Sequence, residues 1–521
     1  MPTDTQGGGY LSRVRRDAVH GSLWTLLATV LGIPVALAAN VVLARTLGTH
    51  GLGRFATYTA IFTVAGTAAN LGWSEATVQW LASATAREAK DERRELIRCC
   101  AGFHLFLTGP VTAGCAAWLL AGSGAAVAII GAVSVWLTSA FGTSTVINTA
   151  SARNALSARI SIIAGTAGQM ALMTAALATH RAATTWAVVL VASPLAPLLA
   201  MVRLPSDDRA ALFSPRLAFR PTPGFWVYAI SACVGALVAT LVYGRSEVIV
   251  LRANGLLTAA GIFTVITGLA GQMTTILDST MAPLTPIAAG LVALDRERAV
   301  RVFKRALRIT AMFGTFASCV LVPMGILMIR VLYGRAFAGA AGPFAALALV
   351  SSLQTALGPL SAFAFATRSA AQVLKINSVC LVADAALVIA LVPLIGLWGA
   401  VAANAAAQVI SLVWMIFLVS RRLSLRPATV VRELRLFGAG LGLGALAAVA
   451  SIRLHGTATI AILGVIALTL ATLRVLIGRF PAMRLTSEDM AIVASTGRSR
   501  KLSLLTSLLA KIGLAEHPRP S

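Results

Sequence analysis

Long apolar runs, each about the 20 residues needed to cross hydrocarbon as a helix, recur along this chain with only short basic segments between them. They fall near 21–44, 55–82, 99–120, 125–147, 160–178, 184–201, 225–243, 260–291, 309–329, 344–365, 376–395, 398–419, 436–452 and 457–473. Composition leaves them no solvent but lipid. With 58% of residues hydrophobic and 12% charged, a water-soluble fold of this length would carry an apolar surface. The sequence therefore predicts an all-α polytopic membrane protein of about 14 transmembrane helices. Two runs, 55–82 and 260–291, exceed the hydrocarbon thickness and are expected to tilt or to continue beyond it.

A formal charge of +25 on a soluble chain would point to nucleic acid. Here the basic residues lie between apolar runs and no nucleic-acid motif accompanies them, so no nucleic-acid partner is expected. Their distribution reports orientation instead. With the N-terminus inside, 35 of the 43 Lys and Arg fall in cytoplasmic segments and eight in outer loops, as cytoplasmic retention of positive charge requires. An even number of spans with both termini in the cytoplasm preserves that asymmetry. Arg13, Arg15 and Arg16 precede the first run in the manner of a signal peptide, but the run continues to Ala44 without a convincing cleavage site and is read as a retained span. The six cysteines sit in or beside apolar runs, without metal-ligand or disulfide spacing, and read as small buried hydrophobes.

All outer loops are short, so no extracytoplasmic domain is expected. Sliding the chain by 208 residues lays LGRFATYTAIF (52–62) over AGIFTVITGLA (260–270), so that Gly53 and Phe55 meet Gly261 and Phe263. Together with the inner connection of 202–224, this suggests two six-helix lobes of like orientation, a parallel repeat. The expected organisation is a cytoplasmic tail over 1–20, lobes over 21–201 and 225–419 joined by 202–224, an appended helix pair over 436–473, and a cytoplasmic tail over 474–521. Within that tail KLSLLTSLLAKIGL (501–514) has an apolar helical face suited to the inner membrane surface.

Catalytic and metal signatures are absent: there is no phosphate-binding glycine-lysine loop, no nucleophile elbow and no paired-histidine spacing. His104 lies within a span, where a lone histidine is more often packed than a ligand. FGAGLGLGAL (437–446) imitates a phosphate loop but lies in an apolar run, so Gly438/Gly442 and Gly440/Gly444 read as helix-packing contacts.

VVLARTLGTHGLGRFATYTAIF (41–62), RVLYGRAFAGAAGPFAAL (330–347) and TRSAAQVLKINSVCLVADAALVIALVPLIGLWGAVAAN (367–404) resemble, in that order, segments of the polysaccharide and oligosaccharide-lipid flippases. These belong to the superfamily that also holds the multidrug extruders and the lipid II flippases. The resemblance covers spans one to twelve and implies a transporter working by alternating access, with a polyprenyl-diphosphate-linked oligosaccharide as substrate, in the plasma (inner) membrane of a bacterium. A cation-coupled multidrug antiporter is the alternative. A membrane-embedded polysaccharide polymerase or ligase is less favoured, because such enzymes need a substantial outer loop.

A diphosphate needs basic groups beside a polar cavity, and the forked donors of arginine suit phosphate. The candidates are Arg45 and Arg54 between spans one and two, and Arg245 and Arg252 between spans seven and eight. Snorkelling to outer headgroups is the other reading of each. Asp384, about ten residues into span eleven, and Asp278, deep in span eight, are intramembrane ionisable groups. They are candidates for coupling transport to a proton or sodium ion, against the blander account of pairing with a polar neighbour. No cofactor, catalytic residue or resident metal is expected.

Overall fold

The computed structural model describes residues 5–453, except 152, 218–222, 243–244, 368 and several positions within 282–294; side chains are described from residue 31. Among these residues the secondary structure is helical throughout. The helices are α1 (Thr5–Asn70), α2 (Trp73–Ala86), α3 (Lys90–Phe103), α4 (Gly109–Leu120), α5 (Ala125–Ala150), α6 (Asn154–Thr179), α7 (Ala182–Ala192), α8 (Leu195–Val202), α9 (Ser206–Leu212), α10 (Pro223–Val242), α11 (Ser246–Ala253) and α12 (Leu257–Met281). They continue as α13 (Arg296–Phe316), α14 (Val322–Met328), α15 (Ala341–Leu353), α16 (Leu357–Ala366), α17 (Ala370–Ile395), α18 (Leu397–Arg422), α19 (Pro427–Glu433) and α20 (Arg435–Arg453).

Ten described helices are long and apolar enough to cross a membrane, or eleven with the bent pair formed by α19 and α20. The expected segments from 21–44 to 436–452 fall mainly on helices wherever they are described; 55–82 is divided at Leu71–Gly72, and the part of 260–291 beyond Met281 lies largely outside the described residues. The last, 457–473, and the amphipathic 501–514 lie outside the described residues. α1 accommodates two expected spans because it is broken at Gly48, whose φ of 65° and ψ of −178° leave the helical region. Apolar side chains face outward as lipid demands: only 11% of the apolar window of α5 is buried inside the protein, and Trp118, Val382 and Leu394 are among the large apolar side chains left exposed. In water that surface would be an aggregation patch.

The chain forms two compact units. The first comprises Met1–Thr280, Ile329–Pro343 and Leu374–Ser411. Its core includes Leu81, Ile97, Leu204 and Leu212 around α2, α3 and α9, Tyr58, Leu120 and Trp186 around α1, α4 and α7, and Trp73, Phe103 and Phe225 around α2, α3 and α10. A bidentate pair from Arg93 to Asp208, at 3.0 and 2.7 Å, ties α3 to α9. Arg93 also donates to Thr85 and Ser151, so the short polar segments at this end share one guanidinium.

Glycine sets a close helix–helix contact in this unit. A Cβ on Gly53 would lie 2.0 Å from the Leu257 oxygen and 3.1 Å from the Gly261 nitrogen; one on Gly261 would lie 1.9 Å from the Thr49 oxygen and 3.0 Å from the Gly53 nitrogen. These are the glycines that a 208-residue shift superimposes, and Thr49 and Leu257 are related by the same shift. What α1 does to α12, α12 therefore does to α1, which is the contact expected about a local two-fold axis.

The second unit comprises Met281–Met328, Phe344–Val373 and Leu412–Ser521. In it, α13 packs on α20 through small residues, and Arg308 pairs with Glu433 at 2.5 and 3.2 Å. A Cβ on Gly440 would meet Thr315 at 2.6 Å and one on Gly444 the Ser318 oxygen at 2.6 Å, whereas Gly438 and Gly442 have nothing within 4 Å. Of the two glycine pairs read as packing contacts, one faces a neighbouring helix.

Candidate functional site

α10 is described to Val242 and α11 from Ser246, residues 243–244 lying outside the described part. Across this stretch the Arg245 N–H donates to the Leu241 oxygen at 3.4 Å. Side chains join it: Asn404 Nδ2 donates to the Val242 oxygen at 3.1 Å, and Ser246 Oγ lies 3.1 Å from the Leu241 oxygen. A polar cluster from α11, α17 and α18 gathers here within the first unit.

At its centre are two carboxyl groups, Glu247 and Asp384, both 0% exposed. Ser246 Oγ stands 2.7 Å from Asp384 Oδ2 and 3.1 Å from Glu247 Oε2. Asn404 Nδ2 donates to Glu247 Oε1 at 2.5 Å, and Gln408 Nε2 donates to Asn404 Oδ1 at 2.5 Å. Neither carboxyl forms a salt bridge among the described residues. Ser246 has a single hydroxyl hydrogen and three oxygens around it, so it satisfies one of them at a time. Asp384 Oδ1 and Gln408 Oε1 are buried with no partner.

The hydrogen-bond count leaves the cluster short of positive charge. Two buried carboxylates in one site are mutually unfavourable, and one added proton or cation relieves both. The oxygens of Ser246, Glu247, Asp384 and Gln408 are hard donors, suited to a proton or to an ion such as sodium rather than to a soft metal. Among the described residues no group of three His, Cys, Asp or Glu side chains forms a metal centre.

Of the residues singled out from sequence, Asp384 is at this cluster. Asp278 falls on α12, and its side chain lies outside the described part. Arg45 is exposed and docks on the end of the 329–333 helical turn, donating from Nη2 to the Val331 oxygen at 2.9 Å and from Nε to the Leu332 oxygen at 2.5 Å. Arg54 Nη2 donates to the Tyr58 hydroxyl at 3.3 Å. Arg252 is exposed near the end of α11, and Arg245 is half-buried just before it. No hydrogen bond joins any of the four to the carboxyl cluster among the described contacts.

Sequence reasoning ended span seven at 243 and so missed Ser246 and Glu247. The hydropathy dips over Tyr243–Glu247, and the dip reads as a loop. The 208-residue shift held the missing signal: it maps Gly48, where the first span ends, onto Leu256, and maps Arg245 onto Leu37, well inside a span.

No protein-family model matches the sequence, and no curated protein matches it. The fold matches solved structures. A lipid II flippase, MurJ, in an inward closed conformation aligns with a TM-score of 0.62 at 12% identity, covering 88% of this chain and 99% of that one. An inward-facing multidrug resistance transporter of the MATE family aligns with 0.56 at 14% identity, covering 77% and 98%. A transporter of the same MOP superfamily from Pyrococcus furiosus, described as having a binding pocket of reversed polarity, aligns with 0.52 at 13% identity, covering 78% and 96%. The chain has the multi-pass membrane transporter fold of these proteins, which are transporters and flippases rather than enzymes.

Proposed function

We propose that this chain is a flippase that moves a polyprenyl-diphosphate-linked oligosaccharide from the inner to the outer leaflet, by alternating access of two six-helix lobes and coupled to a cation at Glu247 and Asp384. The observation that carries the coupling is the buried carboxyl pair with an unpartnered Asp384 Oδ1, a charge deficit that a passing ion would fill. The reciprocal Gly53/Gly261 contact supports the two-lobe repeat. For the substrate, support comes from the ordered flippase-like segments and from the wider and better alignment with the lipid II flippase than with the multidrug transporter. Arg45, Arg54, Arg245 and Arg252 are proposed to hold the diphosphate, and both termini to lie in the cytoplasm of a bacterial cell.

A cation-coupled multidrug antiporter is the second reading, favoured by the multidrug resistance transporter structures that share the fold. One assay separates them. The full chain in proteoliposomes is loaded with a fluorescent polyprenyl-diphosphate oligosaccharide, and its exposure is followed with a membrane-impermeant quencher beside uptake of an organic cation. Ion-dependent flipping without cation uptake supports the flippase; the reverse result overturns it in favour of the antiporter.

A further inference from the structure

The cluster of Glu247 and Asp384 leaves unused a second buried titratable group, His104. It sits at 5% exposure, where α3 widens into a π turn over His104–Thr108, a departure that recurs at functional sites. α5 is stapled to that turn: Ser139 Oγ donates to the His104 oxygen at 3.1 Å and Trp136 Nε1 to the Leu105 oxygen at 3.0 Å. Both ring nitrogens have hydroxyl partners, Nε2 with Ser74 Oγ at 3.0 Å and Nδ1 with Thr143 Oγ1 at 2.9 Å.

The direction of these bonds follows from donor counting. Ser74 gives its one hydrogen to Asn70 Oδ1 at 2.8 Å, so its oxygen is free to accept from His104 Nε2. The neutral imidazole then has a bare Nδ1, which accepts from Thr143. Asn70 Nδ2 in turn donates to Glu75 Oε2 at 3.0 Å. Every donor from Thr143 through His104, Ser74 and Asn70 therefore points toward the Glu75 carboxylate.

That arrangement has room for one more proton. Taken from water onto Nδ1, it makes that nitrogen a donor to Thr143 Oγ1, and the Thr143 hydrogen turns to Cys100 Sγ, 3.6 Å away. Each ring nitrogen keeps a partner, and the new positive charge is answered along the chain by Glu75. The other titratable groups around the site are few: Cys100 on the same helix and Cys233 on α10, with α5 presenting Ser139, Gly142 and Thr143.

The position of the site gives the proton something to act on. Asn70 and Ser74 stand on opposite sides of the break between α1 and α2, where Leu71 and Gly72 have φ of 48° and 68°. A Cβ on Gly72 would lie 1.9 Å from the Ala229 oxygen, so the break lies backbone to backbone against α10.

We propose that His104 is a proton-binding site of the amino-terminal spans, separate from the carboxyl pair on α11 and α17, and that its charge state sets the geometry of the break at Leu71–Gly72. The site does not depend on which substrate is carried. Its test is hydrogen–deuterium exchange on the purified full chain, following the peptides over 66–80 and the slow exchange of the His104 ring Cε1 hydrogen, which reports imidazole charge. The expected result is a pH inflection at the ring between pH 3 and pH 7. Peptide protection, corrected for intrinsic rates, should change several-fold over the same interval and stay flat in His104→Gln. An equal peptide response in His104→Gln, or a ring rate without inflection in the wild type, overturns the proposal. Should His104→Gln fail to fold, the wild-type ring measurement decides alone.

Discussion

Desolvating a carboxylate costs several kcal/mol unless its oxygens find donors or a counter-charge. Asp384 is 0% exposed, yet it has one oxygen on a shared serine hydroxyl and the other on nothing. A purely structural residue would be better satisfied. Asp384→Asn keeps the shape, supplies an amide that can donate, and removes one negative charge, so the variant should insert normally. Ion-dependent transport should fall on the order of tenfold or more, the scale seen when a group supporting an ion site is lost. Glu247→Gln should do the same, because the two carboxyl groups share one deficit. The measurement is initial transport rate against pH and against sodium, beside protein abundance in the membrane; wild-type ion dependence in both variants would assign the pair to structure. Depth in a span made Asp384 visible in sequence. Glu247 was hidden because its neighbours Tyr243 to Ser246 look like a loop in sequence, and only the structure shows Ser246–Ala253 as a helix.

The span helices were legible because each is a run of apolar residues long enough to need the bilayer, and length does not depend on tertiary context. Their breaks were not. At Gly48 and at Leu71–Gly72, the residues that permit a break also occur inside unbroken helices, and the neighbouring chain decides which outcome holds. Gly53 and Gly261 are a case where pattern and packing coincide. With a Cβ placed about 2 Å from a facing carbonyl oxygen, Gly53→Ala or Gly261→Ala must push α1 and α12 apart. Overpacking of this kind costs about 1–3 kcal/mol, so each variant should lower the thermal unfolding midpoint of the purified protein. Because the two substitutions strain one shared contact, the double variant should lose less than the sum of the singles. Strict additivity would mean that the two glycines do not act on the same contact.

At the scale of the whole molecule, charge distribution and fold can be tested against each other. Retention of Lys and Arg on the cytoplasmic side predicts that Arg93, Arg301 and Arg432 lie inside. The outer turns are expected near Gly48, where α1 kinks, and near Asn254–Gly255 and Arg335, where α11 and the 329–333 turn end. Arg245 precedes α11 and so lies short of the outer turn, and Asn254 is the better reporter for that loop. Single cysteines at Asn254 and Arg335 should react with a membrane-impermeant maleimide added to intact cells. Cysteines at Arg301 and Arg432 should react only after the membrane is opened. The native cysteines are buried or half-buried and give a low background. If Asn254 and Arg301 label from the same side, span eight does not cross the membrane and the expected second lobe fails. A cysteine at Glu92, exposed beside Arg93 in the first half, tests the repeat. Labelling from the side opposite to Arg301 would mean that the two halves enter the membrane in opposite senses, and the Gly53/Gly261 contact would then need an explanation other than a parallel repeat. Labelling of Glu92 and Arg301 from the cytoplasmic side, with Asn254 outside, is the outcome expected of halves that enter in the same sense, which alternating access between two equivalent lobes requires.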